Sequence, residues 1–294
     1  MSTLPWSFER RPLIVAAVTP LTDDGERVDE DAIWPLTAFL AEHGADGVFA
    51  CGTTGEGILL SLPERRSVAV AYRAAVRGRL IVHAGAQSTR DTANLAAHAA
   101  EIGADGVAVI PPPYFPLDAK GLTAHFVAAA EACAPLPFFI YAFAARSGYP
   151  VPIEVVERVR AAAANLAGLK VSESPLDRVI PYLGLELPVL VGSEPLIPPA
   201  MARGAVGSVS GLASAFPDVV RDALDQPDAA AEARLAALRS MMEAQPFIAA
   251  AKHMLARRGV PVKPDMRRPM RPLTPEEQMA LDAALEAARG AVAG

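Results

Sequence analysis

Short apolar runs recur along this chain at intervals of about thirty residues, the length of one strand plus a returning helix. The runs are apolar throughout rather than alternating with polar residues, which is typical of parallel strands covered on their outer face. Eight such runs begin at Leu13, Gly47, Leu80, Gly106, Pro137, Leu166, Pro188 and Val206. This spacing predicts a (β/α)8 TIM barrel.

The segments between and after these runs are amphipathic. "DEDAIWPLTAFLAEHG" and "DTANLAAHAAEIG" carry apolar residues at helical spacing and end in glycine, where a C-cap is expected. Two more helical segments follow the eighth run, and the proline-rich stretch 259–272 between them is predicted to be irregular. We therefore divide the chain into a barrel, residues 1–225, and a small C-terminal helical subdomain, residues 226–294.

Composition excludes several classes of protein. The chain has 294 residues, is 52% hydrophobic and 20% charged, and carries a net charge of -6, which indicates a globular protein without an electrostatic footprint for nucleic acid or anionic membranes. We interpret "MRRPMRP", residues 266–272, as a solvated loop rather than an anion site. The start of the chain is charged where a signal peptide needs an apolar core, and no charge-free apolar run reaches membrane length. We therefore expect a cytoplasmic protein.

One lysine interrupts the sixth apolar run. In "NLAGLKVSES", residues 165–174, Lys170 occupies a position where a barrel strand normally carries an aliphatic residue. Such a lysine can simply extend to water. The carboxyl ends of barrel strands, however, form the active face. An amine held there among apolar side chains has a lowered pKa, and the neutral amine can attack a ketone to form a Schiff base.

Other polar groups are predicted to reach the same end of the barrel. "GTTG", residues 52–55, follows the second strand and offers two hydroxyls and backbone N–H groups to a small carboxylate. Tyr141 ends the fifth strand and can transfer a proton. Each feature also has a purely structural interpretation, as a turn and as a core aromatic residue. A carboxylate site beside an amine is what a 2-oxo acid requires.

The sequence resembles the dihydrodipicolinate synthase and N-acetylneuraminate lyase family of Schiff-base-forming (β/α)8 enzymes. The resemblance covers nearly the whole chain. It is carried by "AAVTPLTDDGERVD", "GVFACGTTGEGILLSLPER", "HAGAQSTRDT", "GADGVAVIPPPYF", "GLKVSES" and "GAVGSVSGLASAFP". The combination of "GTTGE", a short apolar run, "PER" and a lysine on the sixth strand is specific to this family.

The resemblance implies roles for individual residues. Lys170 is expected to form the Schiff base, Tyr141 and Thr53 to transfer protons, and Tyr114 to act as a relay tyrosine that in many members reaches across a subunit interface. The expected substrate-binding residues are Thr54, Gly52, Val209 and Arg146, the last at the position where dihydrodipicolinate synthases carry an arginine for a second carboxylate. We expect a homotetramer, a dimer of dimers, with a small-molecule 2-oxo acid as partner and neither cofactor nor metal.

The chain also departs from the family pattern. Ala142 and Ala144 stand where members usually carry asparagine and proline, and Val171 replaces the common acidic residue after the lysine. These changes favour an aldolase or dehydratase acting through a Schiff base with pyruvate or a related 2-oxo acid, on a 2-keto-3-deoxy sugar acid or a 4-hydroxy-2-oxo acid. The alternative is 4-hydroxy-tetrahydrodipicolinate (dihydrodipicolinate) synthase, which condenses pyruvate with an aldehyde bearing a carboxylate, because a fold does not fix a substrate.

Two further hypotheses concern other classes of protein. A metal- or flavin-dependent barrel needs clustered ligands or a phosphate-binding glycine loop, and the five histidines, His43, His83, His98, His125 and His253, show no zinc-like spacing. We interpret His83, on the third predicted strand, as a hydrogen-bonded core residue. A barrel that binds a 2-oxo acid without turning it over stays open, although the presence of Lys170, Tyr141 and Thr53 argues against it.

Overall fold

The computed structural model describes residues 5, 6 and 9–292. Eight parallel strands close into a barrel: β1 Leu13–Ala16, β4 Gly47–Ala50, β5 Arg79–His83, β6 Gly106–Val109, β7 Phe138–Ala142, β8 Leu166–Val171, β9 Val189–Val191 and β10 Gly207–Ser210. Around the barrel they follow the order β1-β10-β9-β8-β7-β6-β5-β4. Between β1 and β4, β2 Leu21–Thr22 and β3 Arg27–Val28 form an antiparallel hairpin. Each apolar run contains one barrel strand, so the predicted (β/α)8 barrel is confirmed.

Helices follow the strands along the chain. They are α1 Ile33–Glu42, α2 Leu62–Ala75, α3 Thr89–Glu101, α4 Ala119–Cys133, α5 Ala144–Ser147, α6 Ile153–Ala162, α7 Leu176–Leu183, α8 Ile197–Met201, α9 Pro217–Asp225, α10 Ala229–Glu243, α11 Phe247–Arg257 and α12 Pro275–Val292. The two amphipathic segments singled out in the sequence are α1 and α3. At the start of α2, Ser61 and Glu64 form a capping box, which fixes where this helix begins.

The apolar residues of the strands divide into an inner and an outer cluster. Ile14 and Phe49 belong to the cluster inside the barrel. Leu169 and Val171 belong to the layer between the strands and the helices. Successive side chains of a strand point to opposite faces, so Lys170, between these two outward residues, points into the barrel.

The C-terminal helices cover the carboxyl end of the barrel. α10 packs on the short 3₁₀ turn Glu194–Leu196 after β9, and α11 contacts the turn Leu212–Ser214 after β10. The first predicted C-terminal helical segment is two helices rather than one, because Pro246 lies between them. The proposed boundary at 225/226 falls at the end of α9. Residues 1–4, 7, 8, 293 and 294, which belong to the two proposed domains, lie outside the described residues.

The loop between α11 and α12, residues 258–274, is irregular as predicted. The interpretation of residues 266–272 as a solvated loop is wrong for its first part, because Met266 is buried and the backbone N–H of Arg267 donates to the carboxylate of Glu56. The buried side chains of Glu56 and Lys252 bind the backbone of this loop, at Arg267 and Asp265, and hold it against the barrel. None of the helices within residues 5–6 and 9–292 has the length and apolar character to cross a membrane.

Candidate active site

A cavity of about 530 Å³ opens at the carboxyl ends of the barrel strands. The barrel and α5 contribute one part of its wall, and α10 and α11 contribute another. Six of the predicted site residues line it: Lys170, Tyr141, Thr53, Thr54, Arg146 and Val209. The C-terminal extension adds Arg239, Glu243, Pro246, Phe247, Ile248 and Met270. The closed barrel brings together residues that lie far apart in sequence.

Lys170 lines this cavity and projects from β8. Its side chain is 4% exposed, and its Nζ atom lies 4.0 Å from the ring centroid of Phe49 and 3.9 Å from that of Tyr141. Within the described residues, no carboxylate forms an ion pair with this nitrogen. Burial lowers the pKa of the Lys170 amine from 10.5 to about 7, and the negative charge of Glu194 partly opposes this shift. A large fraction of neutral, nucleophilic amine is therefore present near neutral pH.

Tyr141 provides a hydroxyl beside the amine. Its OH lies 3.5 Å from Oγ1 of Thr53, the long end of the hydrogen-bond range, and its ring packs edge-on against Phe49. Burial raises the pKa of the phenol, while hydrogen bonds to Thr53 and Ser172 act in the opposite direction. The phenol therefore keeps its proton and can donate it, and the Thr53 hydroxyl that it contacts also lines the cavity.

The "GTTG" turn follows β4 and lies next to β10. Two backbone hydrogen bonds close it: Glu56 N–H donates to Thr53 O, at 3.1 Å, and Gly57 N–H donates to Gly52 O, at 3.1 Å. Among the described residues, no acceptor is found for the backbone N–H of Thr53 or Thr54. Gly211 lies so close that a Cβ atom there would be 2.9 Å from Oγ1 of Thr54. The turn thus presents free donors within a tightly packed shell, as a carboxylate cradle requires.

Arg146 lines the same cavity and lies in the short helix α5. Its guanidinium stacks on Phe143, with 5.7 Å from Cζ to the ring centroid. The helix is held in place by Glu173, a buried residue whose Oε1 accepts from the backbone N–H of Ala144 at 2.8 Å. Arg146 has no carboxylate partner among the described residues. It is a cation available to an anionic group of a ligand.

A second arginine reaches the cavity from the C-terminal extension. Nη1 of Arg239 lies 2.8 Å from Glu194, and Nη2 lies 2.6 Å from Glu243, so two carboxylates neutralise it. These carboxylates raise the pKa of Arg239 despite its burial. Glu194 is fully buried and also accepts from the hydroxyl of Ser210 and the N–H of Leu212. This network joins the ends of β9 and β10 to α10.

Two predicted site residues lie away from the cavity. Gly52, the first residue of the turn, does not line the cavity; a Cβ atom there would be 2.6 Å from the ring of Phe49, so its small size leaves room for the ring that contacts Lys170. Tyr114 is 82% exposed, in the left-handed conformation with φ of 83°, and its ring contacts that of Phe115 edge-on. Contacts of Gly52 and Tyr114 with a substrate stay predictions.

His83 is buried below the cavity, as interpreted from the sequence. Its Nδ1 lies 3.0 Å from the carbonyl oxygen of Cys51, and its pKa is lowered by burial and by the charges of Arg65 and Lys170. The imidazole is therefore neutral and part of the core. In the described part of the chain, no group of three or more His, Cys, Asp or Glu residues could hold a metal ion.

Sequence reasoning missed several residues of the site. Ser172 and Ser193 line the cavity and follow the ends of β8 and β9, so their position after predicted strands could have revealed them. Arg239, Glu243 and Phe247 carry no such signal. They lie on amphipathic helices of the extension, and only the packing of these helices across the barrel brings them to the cavity.

A closed parallel barrel with an unpaired, buried lysine among aromatic rings at its carboxyl end defines a class of protein, the Schiff-base lyases of class I aldolase type. A family model adds the particular family. The chain belongs to the dihydrodipicolinate synthetase family, which matches residues 9–288. Lyases of this family work through a Schiff base with pyruvate or a related 2-oxo acid, and this chain is a lyase of the same type.

Individual relatives agree with this assignment. The chain is 34% identical to an uncharacterized DapA-like lyase of Halobacterium salinarum over 289 residues, 92% of each chain. It is similar in structure to a dihydrodipicolinate synthase from Aquifex aeolicus, with 27% identity, a TM-score of 0.86 and coverage of 95% of this chain and 98% of the other. The same coverage, 28% identity and a TM-score of 0.85 are found with the Proteus mirabilis N-acetylneuraminate lyase.

Proposed function

We propose that Lys170 forms a Schiff base with carbon C2 of pyruvate or a related 2-oxo acid. The chain then cleaves or forms the C3–C4 bond of the substrate. The favoured substrates are a 2-keto-3-deoxy sugar acid or a 4-hydroxy-2-oxo acid. One observation carries the proposal: the Lys170 nitrogen faces the cavity, buried between two rings and without a carboxylate partner among the described residues. Burial of this kind is how proteins obtain a neutral, nucleophilic lysine at neutral pH.

The reaction can be written with all atoms accounted for. The Lys170 amine adds to the keto carbon C2, and loss of water gives the protonated imine. The C3–C4 bond then breaks, its electron pair moves to the imine to give an enamine, and the C4 hydroxyl loses its proton as the aldehyde leaves. Protonation at C3 and addition of water release pyruvate and restore the amine. Tyr141 and Thr53 are placed to carry these protons.

The cavity supplies a site for each half of such a substrate. On the side of "GTTG", Thr54 and the free N–H groups would hold the carboxylate beside the imine. Outside this turn, the cavity is also lined by the hydroxyls of Ser172 and Ser193, the carboxylate of Glu243 and the cation of Arg146. Such a mixture of donors and acceptors suits a chain that bears several hydroxyls. It supports the sugar-acid substrate over an apolar aldehyde.

A second candidate is the condensation of pyruvate with an aldehyde that bears a carboxylate, the dihydrodipicolinate synthase reaction. Arg146 favours it, because this arginine reaches the cavity and has no carboxylate partner among the described residues. A guanidinium binds a carboxylate with two parallel hydrogen bonds, so the acceptor would be fixed by its acid group.

We also propose that the protein is a cytoplasmic dimer of dimers. Tyr114 and the neighbouring Phe115 form an exposed aromatic pair after β6, and the backbone of Tyr114 is held in a conformation that is uncommon for a residue with a side chain. Exposed aromatic groups of this kind are enriched where subunits meet. A second subunit would cover the pair, and the tyrosine could then reach the partner's cavity.

Reductive trapping tests the proposal directly. The protein is mixed with pyruvate and borohydride, and the mass of the intact chain and of its peptides is measured beside a Lys170→Ala control. We expect one adduct per chain, mapped to Lys170 and absent from the control. Release of pyruvate from a panel of 2-keto-3-deoxy sugar acids then separates the favoured function from condensation with an acidic aldehyde. If neither pyruvate nor larger 2-oxo acids give an adduct, the chain binds its ligand without Schiff-base chemistry.

A further inference from the structure

A fully buried ion pair joins the barrel to the C-terminal extension. The side chains of Glu56 and Lys252 are both 0% exposed, and Nζ of Lys252 lies 2.6 Å from Oε1 of Glu56. The same nitrogen donates to the carbonyl oxygen of Asp265, at 2.6 Å, and Oε2 of Glu56 accepts from the backbone N–H of Arg267, at 2.7 Å. Both carboxylate oxygens are therefore bound, one by α11 and the other by the α11–α12 loop.

Glu56 is also part of the turn that follows β4. It comes directly after "GTTG", its backbone has a φ of 54°, and its N–H donates to the carbonyl oxygen of Thr53. A glutamate in the left-handed region is unfavourable by itself and persists only where the surroundings hold it. The ion pair with Lys252 supplies such a constraint, since it fixes where the side chain of Glu56 must point.

The packing around the turn leaves it little freedom to move independently. A Cβ atom on Gly57 would lie 1.9 Å from the carbonyl oxygen of Cys51, and one on Gly55 would lie 3.0 Å from that of Ala17. Thr54 in turn lies against Gly211 of the neighbouring strand end. Because closely packed atoms transmit displacements, a shift of Glu56 would be felt at Thr53 and Thr54.

We propose that Glu56 and Lys252 are positioning residues that hold the Thr53–Thr54 turn in the geometry that binds the substrate carboxylate. The C-terminal extension then controls affinity for the 2-oxo acid, although neither residue of the pair lines the cavity. This inference rests on the proposed function of the turn. Stability alone is a weak reason for such a pair, because buried ion pairs are often no more stabilising than apolar residues of similar size.

The test compares Lys252→Met with a matched control in the same part of the fold. Asp218→Asn weakens another ion pair made by the extension, at 2.9 Å between Asp218 of α9 and Arg258 at the end of α11; among the described residues neither side chain hydrogen-bonds to the turn. Adduct formation by each variant is measured with pyruvate and with acetone under borohydride. Acetone reaches the lysine amine but has no carboxylate, so it reports the amine without the turn.

For Lys252→Met we expect the pyruvate concentration that gives half of the maximal adduct to rise about tenfold or more. A displacement of about 1 Å at a positioning group can cost up to about 10²-fold. Trapping of acetone by Lys252→Met should stay within about twofold of the wild type. Trapping of pyruvate and of acetone by Asp218→Asn should also stay within about twofold, because neither the amine nor the turn is displaced. Where Lys252→Met does not fold, Glu56→Gln, which keeps an acceptor for Arg267, should show the same selective loss.

Three outcomes would overturn the inference. If the pyruvate concentration for half-maximal adduct is unchanged in folded Lys252→Met or Glu56→Gln, the ion pair only stabilises the packing of the extension on the barrel. An equal loss with pyruvate and acetone means that it acts on Lys170 instead of the carboxylate. Absence of any pyruvate adduct in the wild type overturns the proposed function itself, and the inference with it.

Discussion

Lys170 and Tyr141 are Cα partners on adjacent barrel strands, and the lysine Nζ lies 3.9 Å from the centroid of the tyrosine ring. The ring centroid of Phe49, on β4, lies 4.0 Å from the same nitrogen. The two rings exclude water from the amine, although their faces attract whatever ammonium remains. Loss of hydration is the larger effect and lowers the pKa of the amine to about 7.

The first prediction concerns the pH dependence of Schiff-base formation. Because the neutral amine is the nucleophile and the pKa of Lys170 is about 7, the rate should rise as pH rises through about 7 and level off above it. Trapping of pyruvate with cyanoborohydride between pH 5 and pH 10 measures this profile. A midpoint near 10, the value of an ordinary lysine, would show that burial does not act on the amine as described.

The second prediction concerns Glu194. Its negative charge raises the pKa of Lys170, so Glu194→Gln should move the midpoint of the trapping profile to lower pH. The variant also leaves the charge of Arg239 less compensated, which acts in the same direction. Glu186→Gln, at an exposed position, serves as the control and should not move the midpoint. An unchanged or higher midpoint in Glu194→Gln would contradict the assigned electrostatic effect.

The third prediction concerns stability. The pKa of Lys170 is about 7 in the folded protein and 10.5 in the unfolded chain, so the folded state binds the proton of this amine less well. The resulting cost is complete below pH 7, on the order of 5 kcal/mol before any structural relaxation, and fades as pH rises towards 10.5. Lys170→Met should therefore raise the free energy of unfolding more at pH 6 than at pH 10. Denaturant unfolding at both values measures this, and an equal effect at both would refute it.

The fourth prediction concerns the hydroxyl of Tyr141. Tyr141→Phe keeps the ring beside Lys170 and Phe49 but removes the group that contacts Thr53. We expect turnover of the sugar-acid or 4-hydroxy-2-oxo acid substrate to fall about 10²-fold, the usual contribution of one acid or base, with the melting temperature nearly unchanged. Turnover close to that of the wild type would assign proton transfer to another group.

The fifth prediction concerns Arg146. Arg146→Met should weaken binding of an acceptor or substrate that carries a second carboxylate by about tenfold or more, because it removes the charge-assisted hydrogen bonds of the guanidinium, and should leave the pyruvate adduct unaffected. Arg178→Met, beside a different cavity, is the matched control. Inhibition by dicarboxylic acids of increasing length measures the effect. Equal inhibition of the wild type, Arg146→Met and Arg178→Met would show that Arg146 does not bind a second carboxylate.

The strands, and the site residues at the ends of those strands, could be predicted from the sequence because both depend on local patterns. Eight apolar runs with intervening amphipathic segments leave few folds other than a barrel, and polar residues at the ends of such runs must lie at one end of it. Lys170, Tyr141 and the "GTTG" turn were found in this way. The inward direction of Lys170 follows from the alternation of side chains once the strand is placed.

The other half of the site follows from long-range packing, which no local pattern encodes. Arg239 and Lys252 read as ordinary charged residues of amphipathic helices, yet one reaches the cavity and the other is buried against Glu56. The α11–α12 loop looked solvated because its prolines and arginines are typical of exposed segments. Its backbone docks because two buried charged groups need hydrogen-bond partners, and only the folded chain places those groups beside it. The sequence by itself determined the barrel and its lysine, and the tertiary structure decided what surrounds them.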